Sequence, residues 1–193
     1  MLEKELKCLI SQKKYEEIFS SLDWRETIIQ DNFYFFDRKG VLKKNKINVR
    51  VRKIEDDFFL QIKTPVKDDK GLSVSREYEK VIPSLPTEIS GKELREIAGL
   101  ELEIDKAVLA GVLKTKRHFC QWDEDTLVCL DESSYLEIVD YEIEVEFSKD
   151  HVDQDLIDLL KSKEVDFDHK ARGKRSRFIN RFNELKRNEK DML

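Results

Sequence analysis

Several segments of this chain alternate charged and apolar residues with a period of two, and within a segment the charges share one sign. Residues 141–147 carry three carboxylates between apolar side chains, and residues 47–52 carry two guanidiniums in the same way. Because successive side chains of a β-strand point to opposite faces, this period predicts strands with one dry face and one charged face. Such rows of like charge repel each other and gain little on an open sheet.

A closed sheet gives these charges a place. If the strands curve into a barrel with the charged faces inward, carboxylates line some walls of a water-filled interior and cationic groups line others. That interior matches a phosphate chain with divalent cations, since Arg and Lys pair with phosphoryl oxygens and carboxylates hold hard cations. An open sheet with a solvated charged face is the alternative for any one segment taken alone.

Composition sets outer limits on the fold and on the partners. The chain has 193 residues, of which 40% are charged, and only six Gly and three Pro, which suits one domain with a sizeable core. We expect one domain over residues 1–187 and a disordered tail at 188–193. The net charge of −5 argues against a general nucleic-acid binder, whose affinity comes from a cationic surface.

Cysteine usage and hydropathy indicate the compartment. Cys8, Cys120 and Cys129 are odd in number and lack metal-ligand spacing, so we interpret them as packing residues in a reducing cytosol. Charge begins at Glu3, and no apolar run approaches the ~20 residues that span a bilayer. We therefore predict neither a signal peptide nor a membrane helix, and a cytoplasmic location.

Periodicity and turn residues predict about eight strands, mostly joined locally, with helices in the connections. The predicted strands are 2–10, 28–36, 47–54, 58–64, 72–82, 112–121, 126–130 and 136–147. The predicted helices are one from an N-cap at Ser11 to Leu22, then 90–98, a short one at 105–109, 153–161, and one ending the basic segment 170–187. The class is α+β, with an antiparallel closed eight-stranded β-barrel.

Seven segments of the chain, in order, resemble the strands of a known family, the CYTH domains, also called triphosphate tunnel metalloenzymes. The resemblance covers nearly the whole chain and leaves the substrate open, because the connection Asp37–Lys46 is unusually basic for the family. The matching segments are Glu3-x-Glu5-x-Lys7, Val49–Arg52, Leu60–Lys63, Arg76–Glu79, Leu113–Arg117, the pair Leu130–Leu136 and Asp140–Glu146, and Lys174-x-x-Arg177-Phe178.

The resemblance implies a tunnel that hydrolyses a triphosphate-bearing small molecule with Mg2+ or Mn2+. It implies no nucleic-acid or membrane partner, and a monomer or homodimer. Within the family, the alternatives are a class IV-type adenylyl cyclase and a thiamine triphosphatase. A non-catalytic module that binds polyphosphate or an anionic metabolite is an alternative of another class.

The same resemblance assigns roles to individual side chains. The implied metal ligands are Glu3, Glu5, Glu144 and Glu146. The implied substrate-binding residues are Arg50, Arg52, Lys63, Arg117, Lys174 and Arg177, which would offset charge on phosphoryl oxygens. The implied catalytic residues are Lys7, Glu77, Glu79 and Glu142. Asp131 belongs either to the site or to a turn cap, and His118 is interpreted as a surface histidine.

Overall fold

In a computed structural model, the alternating segments form β-strands. The structure describes residues 2–66, 73–99, 101, 103–149, 151–167 and 172–191. The strands in these ranges are β1 (Leu2–Ile10), β2 (Glu26–Asp37), β3 (Asn48–Ile54), β4 (Asp57–Pro65), β5 (Ser73–Ile82), β6 (Glu88–Ser90), β7 (Lys106–Asp123), β8 (Thr126–Tyr135) and β9 (Ile138–Phe147). The helices in these ranges are α1 (Gln12–Phe19), α2 (Val41–Lys44), α3 (Gly91–Ala98), α4 (Gln154–Ser162) and α5 (Lys174–Asp191).

Eight of these strands close into an antiparallel barrel. The strand order is β2-β3-β4-β5-β1-β9-β8-β7, and β7 pairs back onto β2. The predicted closed eight-stranded barrel is therefore confirmed. The short strand β6 is a ninth, paired with the first residues of β7. The helix expected at 105–109 is wrong, because residues from Lys106 onward hydrogen-bond to β2 and β6 as part of β7.

Cross-strand register sets the charged residues beside one another on the inner face. Glu5 lies opposite Glu146, and Lys7 lies opposite Glu144, between β1 and β9. Arg117 lies opposite Asp131 between β7 and β8. Directly opposed side chains have Cβ atoms roughly 5 Å apart, so these pairs interact inside the barrel.

The apolar faces of the same strands pack outside the barrel. Val49, Val51, Leu60 and Ile62 on β3 and β4 form one core with α3. A second core lies where helices α1 and α4 cover the outer faces of β8 and β9; its members include Tyr15, Ile18, Val128, Leu130, Ile143, Val145, Leu156 and Leu160. The barrel is thus dry outside, beneath its helices, and charged inside, which is the reverse of a small apolar-filled barrel.

Helix α5 packs across one end of the barrel through a third apolar cluster. Phe178 is fully buried against Tyr34, Leu113 and Tyr135. Its ring passes so close to Gly111 that a Cβ there would lie 2.9 Å from the Phe178 Cζ atom. Glycine at 111 therefore permits the close approach that seats α5.

Helix boundaries agree with the capping signals at α1. The Ser11 side chain accepts a hydrogen bond from the Lys14 backbone N–H, as an N-cap does, but the helix ends at Phe19 rather than at Leu22. Helix α5 continues to Asp191. The domain bounds of 1–187 stay a prediction. Among the described helices, none combines the length and the apolarity that crossing a membrane requires.

Candidate active site

The barrel encloses a cavity of about 840 Å³ that is lined mainly by charged and polar side chains. Of the predicted site residues whose side chains the structure describes, all but Glu142 and Arg177 line it. Those that do are Glu5, Lys7, Arg50, Arg52, Lys63, Glu77, Glu79, Arg117, Glu144, Glu146 and Lys174. The side chain of Glu3 lies outside the described part of the chain, so its role as a metal ligand stays a prediction from the sequence.

Strands β3, β4 and β5 form one wall, in which cations alternate with their partners. Arg50 donates from Nε to the Gln61 Oε1 atom at 2.7 Å, and Gln61 donates in turn to Glu79 Oε2 at 2.6 Å. Lys63 lies 3.4 Å from Glu77, which is also 3.7 Å from Arg50. These contacts hold the cations of this wall extended along the cavity.

Arg52 differs from the other cations of this wall. Its Nε donates to the Asn32 amide oxygen at 3.3 Å, and no described carboxylate forms an ion pair with it. Burial, together with the nearby guanidiniums of Arg50 and Arg117, lowers the pKa of Arg52 to about 9. The cavity therefore holds a positive charge that the described residues leave poorly compensated, as a site for an anion requires.

The opposite wall, on β7, β8 and β9, is acidic and is bridged by Arg117. This guanidinium forms a two-pronged contact with Asp131, from Nε at 2.8 Å and from Nη2 at 2.7 Å. It also contacts Glu144, and lies 3.3 Å from Glu146. Burial would raise the pKa of Asp131, but Arg117 and Lys174 hold it below its usual range.

Lys174, in the first turn of α5, meets three carboxylates of this acidic wall. Its Nζ lies 2.7 Å from Asp131, 3.0 Å from Glu142 and 2.7 Å from Glu144. Burial would lower the pKa of Lys174, but these carboxylates raise it well above its usual value. The pKa of Glu144 lies well below its usual value because Lys174 and Arg117 outweigh the effect of burial.

Glu142 and Arg177 are not brought into the cavity. Glu142 is fully buried and lies 2.5 Å from Arg177 Nη1. Burial and the charge on Glu144 raise the pKa of Glu142 to about 7, although Lys174 opposes the rise. Arg177 also grips Asp140 through Nε at 2.8 Å and Nη2 at 3.1 Å. Both residues stand behind the lining and fasten α5 to β9.

Strand β1 adds a carboxylate and an ammonium to the acidic side. Lys7 Nζ contacts Glu5 Oε1 within the cavity. Burial would lower the pKa of Lys7, but Glu144, Glu5 and Glu142 raise it above 10.5. Lys7 is therefore held as a cation between the carboxylates of β1 and β9.

The donor chemistry of this wall fits a hard divalent cation. Glu5, Glu144 and Glu146 are neighbours by register and line the same cavity, and their oxygens are the ligands that such cations prefer. Lys174 and Arg117 hold Glu144 here, and no three acidic, histidine or cysteine side chains among the described residues converge at ligand distances. A cation would thus replace positive charge that side chains now supply.

Several lining or supporting residues were not predicted from the sequence. Gln30, Asn32 and Tyr34 of β2 are buried inside the barrel, although only a strand at 28–36, and no role for these side chains, was predicted. Their alternation with Ile29, Asp31 and Phe33 was the available signal. Asp131 does not cap a turn, because it is fully buried between Arg117 and Lys174.

The interpretation of His118 as a surface residue is wrong. His118 is 3% exposed, on the outer face of β7 under α1. Its Nε2 is 2.9 Å from the Tyr15 hydroxyl and its Nδ1 is 2.6 Å from the Thr27 hydroxyl. Both partners lie roughly 90 or more positions away along the chain, so neither could be read from the surrounding residues.

Comparisons with known proteins agree with this geometry. A family model described as "CYTH domain" matches residues 1–172. "Putative triphosphatase YjbK" from Bacillus subtilis (strain 168) is 28% identical over 154 residues, covering 78% of this chain and 80% of that protein. A solved structure described as "a putative adenylate cyclase" from Bacillus halodurans is 26% identical with a TM-score of 0.73, covering 91% of this chain and 96% of that one.

A structure from Hippeastrum has the same fold at lower identity. "Putative adenylyl cyclase HpAC1" from Hippeastrum, described as having a dominant triphosphatase activity, is 22% identical with a TM-score of 0.73. The match covers 92% of this chain and 95% of that one.

Proposed function

This chain belongs to the CYTH domain family, and on that premise we propose that it hydrolyses a triphosphate-bearing small molecule in its tunnel with a divalent cation. The observation that carries the proposal is the pairing of two walls of opposite charge in one cavity. A phosphate chain with a cation complements both walls at once, whereas a simple anion or a simple cation complements only one. The name of one relative, "Putative triphosphatase YjbK", supports the same activity.

The cations of the cavity would grip the phosphate chain. Arg50 and Arg52 offer planar guanidinium groups whose paired N–H donors match phosphoryl oxygens, and Lys63 adds a point charge beside them. Arg117 stands opposite, so the chain would lie between positive groups on both sides. Such cations are the main requirement of phosphoryl transfer, because they stabilise the charge that builds on the leaving and equatorial oxygens in the transition state.

Glu5, Glu144 and Glu146, with Glu3 from the sequence resemblance, would hold Mg2+ or Mn2+. Such a cation neutralises phosphoryl charge and polarises the bond that breaks. Lys174 and Arg117 would then exchange a carboxylate partner for a phosphoryl oxygen. We assign Arg177 and Glu142 as positioning residues, since they lie behind the lining and fix the helix turn that carries Lys174.

The reaction needs a water placed in line with the terminal phosphorus. The water oxygen forms the new P–O bond as the bridging P–O bond breaks, so one inorganic phosphate leaves and the rest of the chain keeps the bridging oxygen. Glu77 and Glu79 line the cavity beside the gripping cations and can accept the water proton. Lys7, held as a cation, would orient the terminal phosphoryl group or tune the carboxylates around it.

A cyclase is the second candidate, and the Bacillus halodurans relative at 26% identity is the observation that favours it. The test is a product assay with tripolyphosphate, ATP and thiamine triphosphate, each with Mg2+ or Mn2+. Phosphate release from tripolyphosphate supports the proposal. Cyclic AMP and pyrophosphate from ATP, without phosphate release, would assign the cyclase. Binding of tripolyphosphate without any product would assign a non-catalytic module.

A further inference from the structure

The connection between β2 and β3 is strongly basic, and part of it faces the cavity. Residues 38–46 contain five cationic side chains and no acidic one. Of these five, Lys43 and Lys46 line the cavity, whereas Arg38, Lys39 and Lys44 do not. The segment lies at the barrel end where β2 ends and β3 begins, which is also where β4 ends at Pro65. Lys43 and Lys46 therefore stand at the rim of the tunnel.

Arg175 of α5 supplies a third cation to this rim. Its guanidinium lies 5.7 Å from the centre of the Phe36 ring, at the end of β2, and it also lines the cavity. Its Nε atom is buried and has no hydrogen-bond partner among the described residues. Burial lowers the pKa of Arg175, since Asp37 and Tyr34 offset it only in part. We call Lys43, Lys46 and Arg175 the rim cluster.

The rim cluster sits on an anchored backbone. The Asp37 carboxylate accepts hydrogen bonds from the backbone N–H groups of Val41 at 2.7 Å and Leu42 at 2.9 Å. Leu42 and Ile47 are buried in the apolar core beside β3. The Lys46 N–H donates to the Lys43 carbonyl at 3.1 Å. The lysine backbones are thus fixed, and only their side chains need to be ordered by a ligand.

The rim cluster forms no ion pair within the described chain, although Asp37 offsets part of the charge on Arg175. Inside the tunnel, Arg117, Lys174 and Lys63 each lie within 4 Å of a carboxylate. No described carboxylate forms such an ion pair with Lys43, Lys46 or Arg175. Three cations on one side of an opening, none of them in an ion pair with a described carboxylate, form a binding surface for a multiply charged anion.

We propose that the rim cluster binds phosphoryl groups beyond the third in a linear inorganic polyphosphate, so that the tunnel accepts chains longer than triphosphate. This inference rests on the proposed function. The cavity carries a continuous set of cations from Arg52 and Arg50 through Lys63 to the rim, and a longer chain would satisfy all of them.

The rim offers little to a nucleotide base. The aromatic side chains among the described lining residues are Tyr34 and Phe119. Phe119 pairs with Glu26 at the start of β2, toward the other end of the barrel. Tyr34 is 1% exposed and packs on Phe178. A base at the rim would therefore lack a ring for stacking, whereas further phosphoryl groups would find three cations.

The test compares KM and kcat for tripolyphosphate, tetrapolyphosphate, long-chain polyphosphate and ATP. The rim variant is Lys43→Ala with Lys46→Ala, and the matched control is Lys39→Ala with Lys44→Ala, which removes the same charge from the same segment outside the cavity. Arg175→Gln is a second, independent rim variant. Thermal melting of each variant verifies that it is folded.

We expect the wild type to shorten tetrapolyphosphate and long-chain polyphosphate. In the rim variants, KM for these chains should rise about tenfold more than KM for tripolyphosphate, the effect of losing one or two charge-assisted contacts. The control pair should leave the ratio of the two KM values within about twofold, because salt screens charges outside the cavity.

Other results would overturn the inference in distinguishable ways. If the wild type cleaves tripolyphosphate but none of the longer polyphosphate chains, the rim site is refuted and the proposed function stands. An equal rise in KM for all chains, or the same rise in the control pair, would mean that the rim cluster attracts anions only through its net charge and holds no specific phosphoryl group. A rim effect confined to ATP would assign the rim to a nucleotide. Phosphate release from ATP without cleavage of tripolyphosphate or any longer chain would remove the rim site alone, and failure to cleave any triphosphate would remove both proposals.

Discussion

The ammonium of Lys174 lies 2.7 Å from the carboxylate of Glu144, and this contact ties helix α5 to the acidic wall of the barrel. Lys174 also meets Asp131 and Glu142, both of which are fully buried. Together with Arg117 and Arg177, this ammonium therefore compensates a cluster of buried carboxylates. Stability of the empty tunnel and access of a cation to Glu144 both depend on it.

Lys174→Gln should lower the free energy of unfolding by about 3 kcal/mol, because it removes one of the counter-charges of three buried carboxylates, which Arg117 and Arg177 then compensate only in part. Added Mn2+ should restore part of the lost melting temperature by binding the vacated carboxylates in the folded state. Arg187→Gln, at an exposed position of the same helix, is the control. A Lys174 variant as stable as the wild type, and indifferent to Mn2+, would contradict the compensating role.

Arg52→Lys should impair catalysis although it keeps the charge, because a lysine cannot offer two parallel donors to a phosphoryl group. We expect kcat/KM for tripolyphosphate to fall on the order of 10- to 100-fold. If the contact strengthens in the transition state, kcat falls too; a contact equal in both states raises KM alone. Arg38→Lys, at an exposed position, should change neither constant. Unchanged constants for Arg52→Lys would remove Arg52 from the site.

Gly111→Ala should lower the free energy of unfolding by about 1–3 kcal/mol, since the new methyl group would lie 2.9 Å from the Phe178 ring. Phe178→Leu in the same chain should recover part of this loss. Chemical denaturation of both single variants and the double variant measures the coupling. Strictly additive losses would mean that the close approach does not seat α5.

His118 should make stability depend on pH. Burial lowers its pKa below 6.5 in the folded state, and Lys116 adds to this, so the unfolded chain binds the proton more readily. Stability should therefore fall as pH drops below 6.5, by at most about 1.4 kcal/mol per pH unit for one group. Denaturation of the wild type and His118→Gln at pH 7.5 and 5.5 measures the difference. A wild type that loses no more stability than the variant would contradict the assignment.

The sequence predicts the barrel well where charge and apolarity alternate strictly. In β3 and β9, Arg50 and Glu144 face inward while Val51 and Val145 face the outer cores, as the period requires. Local patterning decides these positions, because one face of the strand must be dry. The start of β7 was predicted to be a helix. Residues 106–109 are a strand because they pair with β2 and β6, and the local sequence does not encode this pairing.

The parts of the site that could not be predicted depend on contacts between distant segments. Asp131 belongs to the acidic wall because Lys174, over 40 positions away, reaches it from α5. Gln61 bridges Arg50 and Glu79 through a register that only the closed barrel defines. Whether a polar side chain grips the ligand or supports its neighbour is set by such partners, and periodicity does not encode them.

The central claim is that an acidic wall and a divalent cation act together on a triphosphate. Its most direct test is phosphate release from tripolyphosphate by the wild type, Glu5→Gln and Glu144→Gln, with Mg2+, with Mn2+ and with excess chelator; Glu124→Gln, in an exposed turn, is the control. We predict release that requires the cation and falls on the order of 100-fold or more in Glu5→Gln and Glu144→Gln, but not in the control. Full turnover by the wild type in chelator, or by Glu144→Gln with Mg2+, would contradict the account.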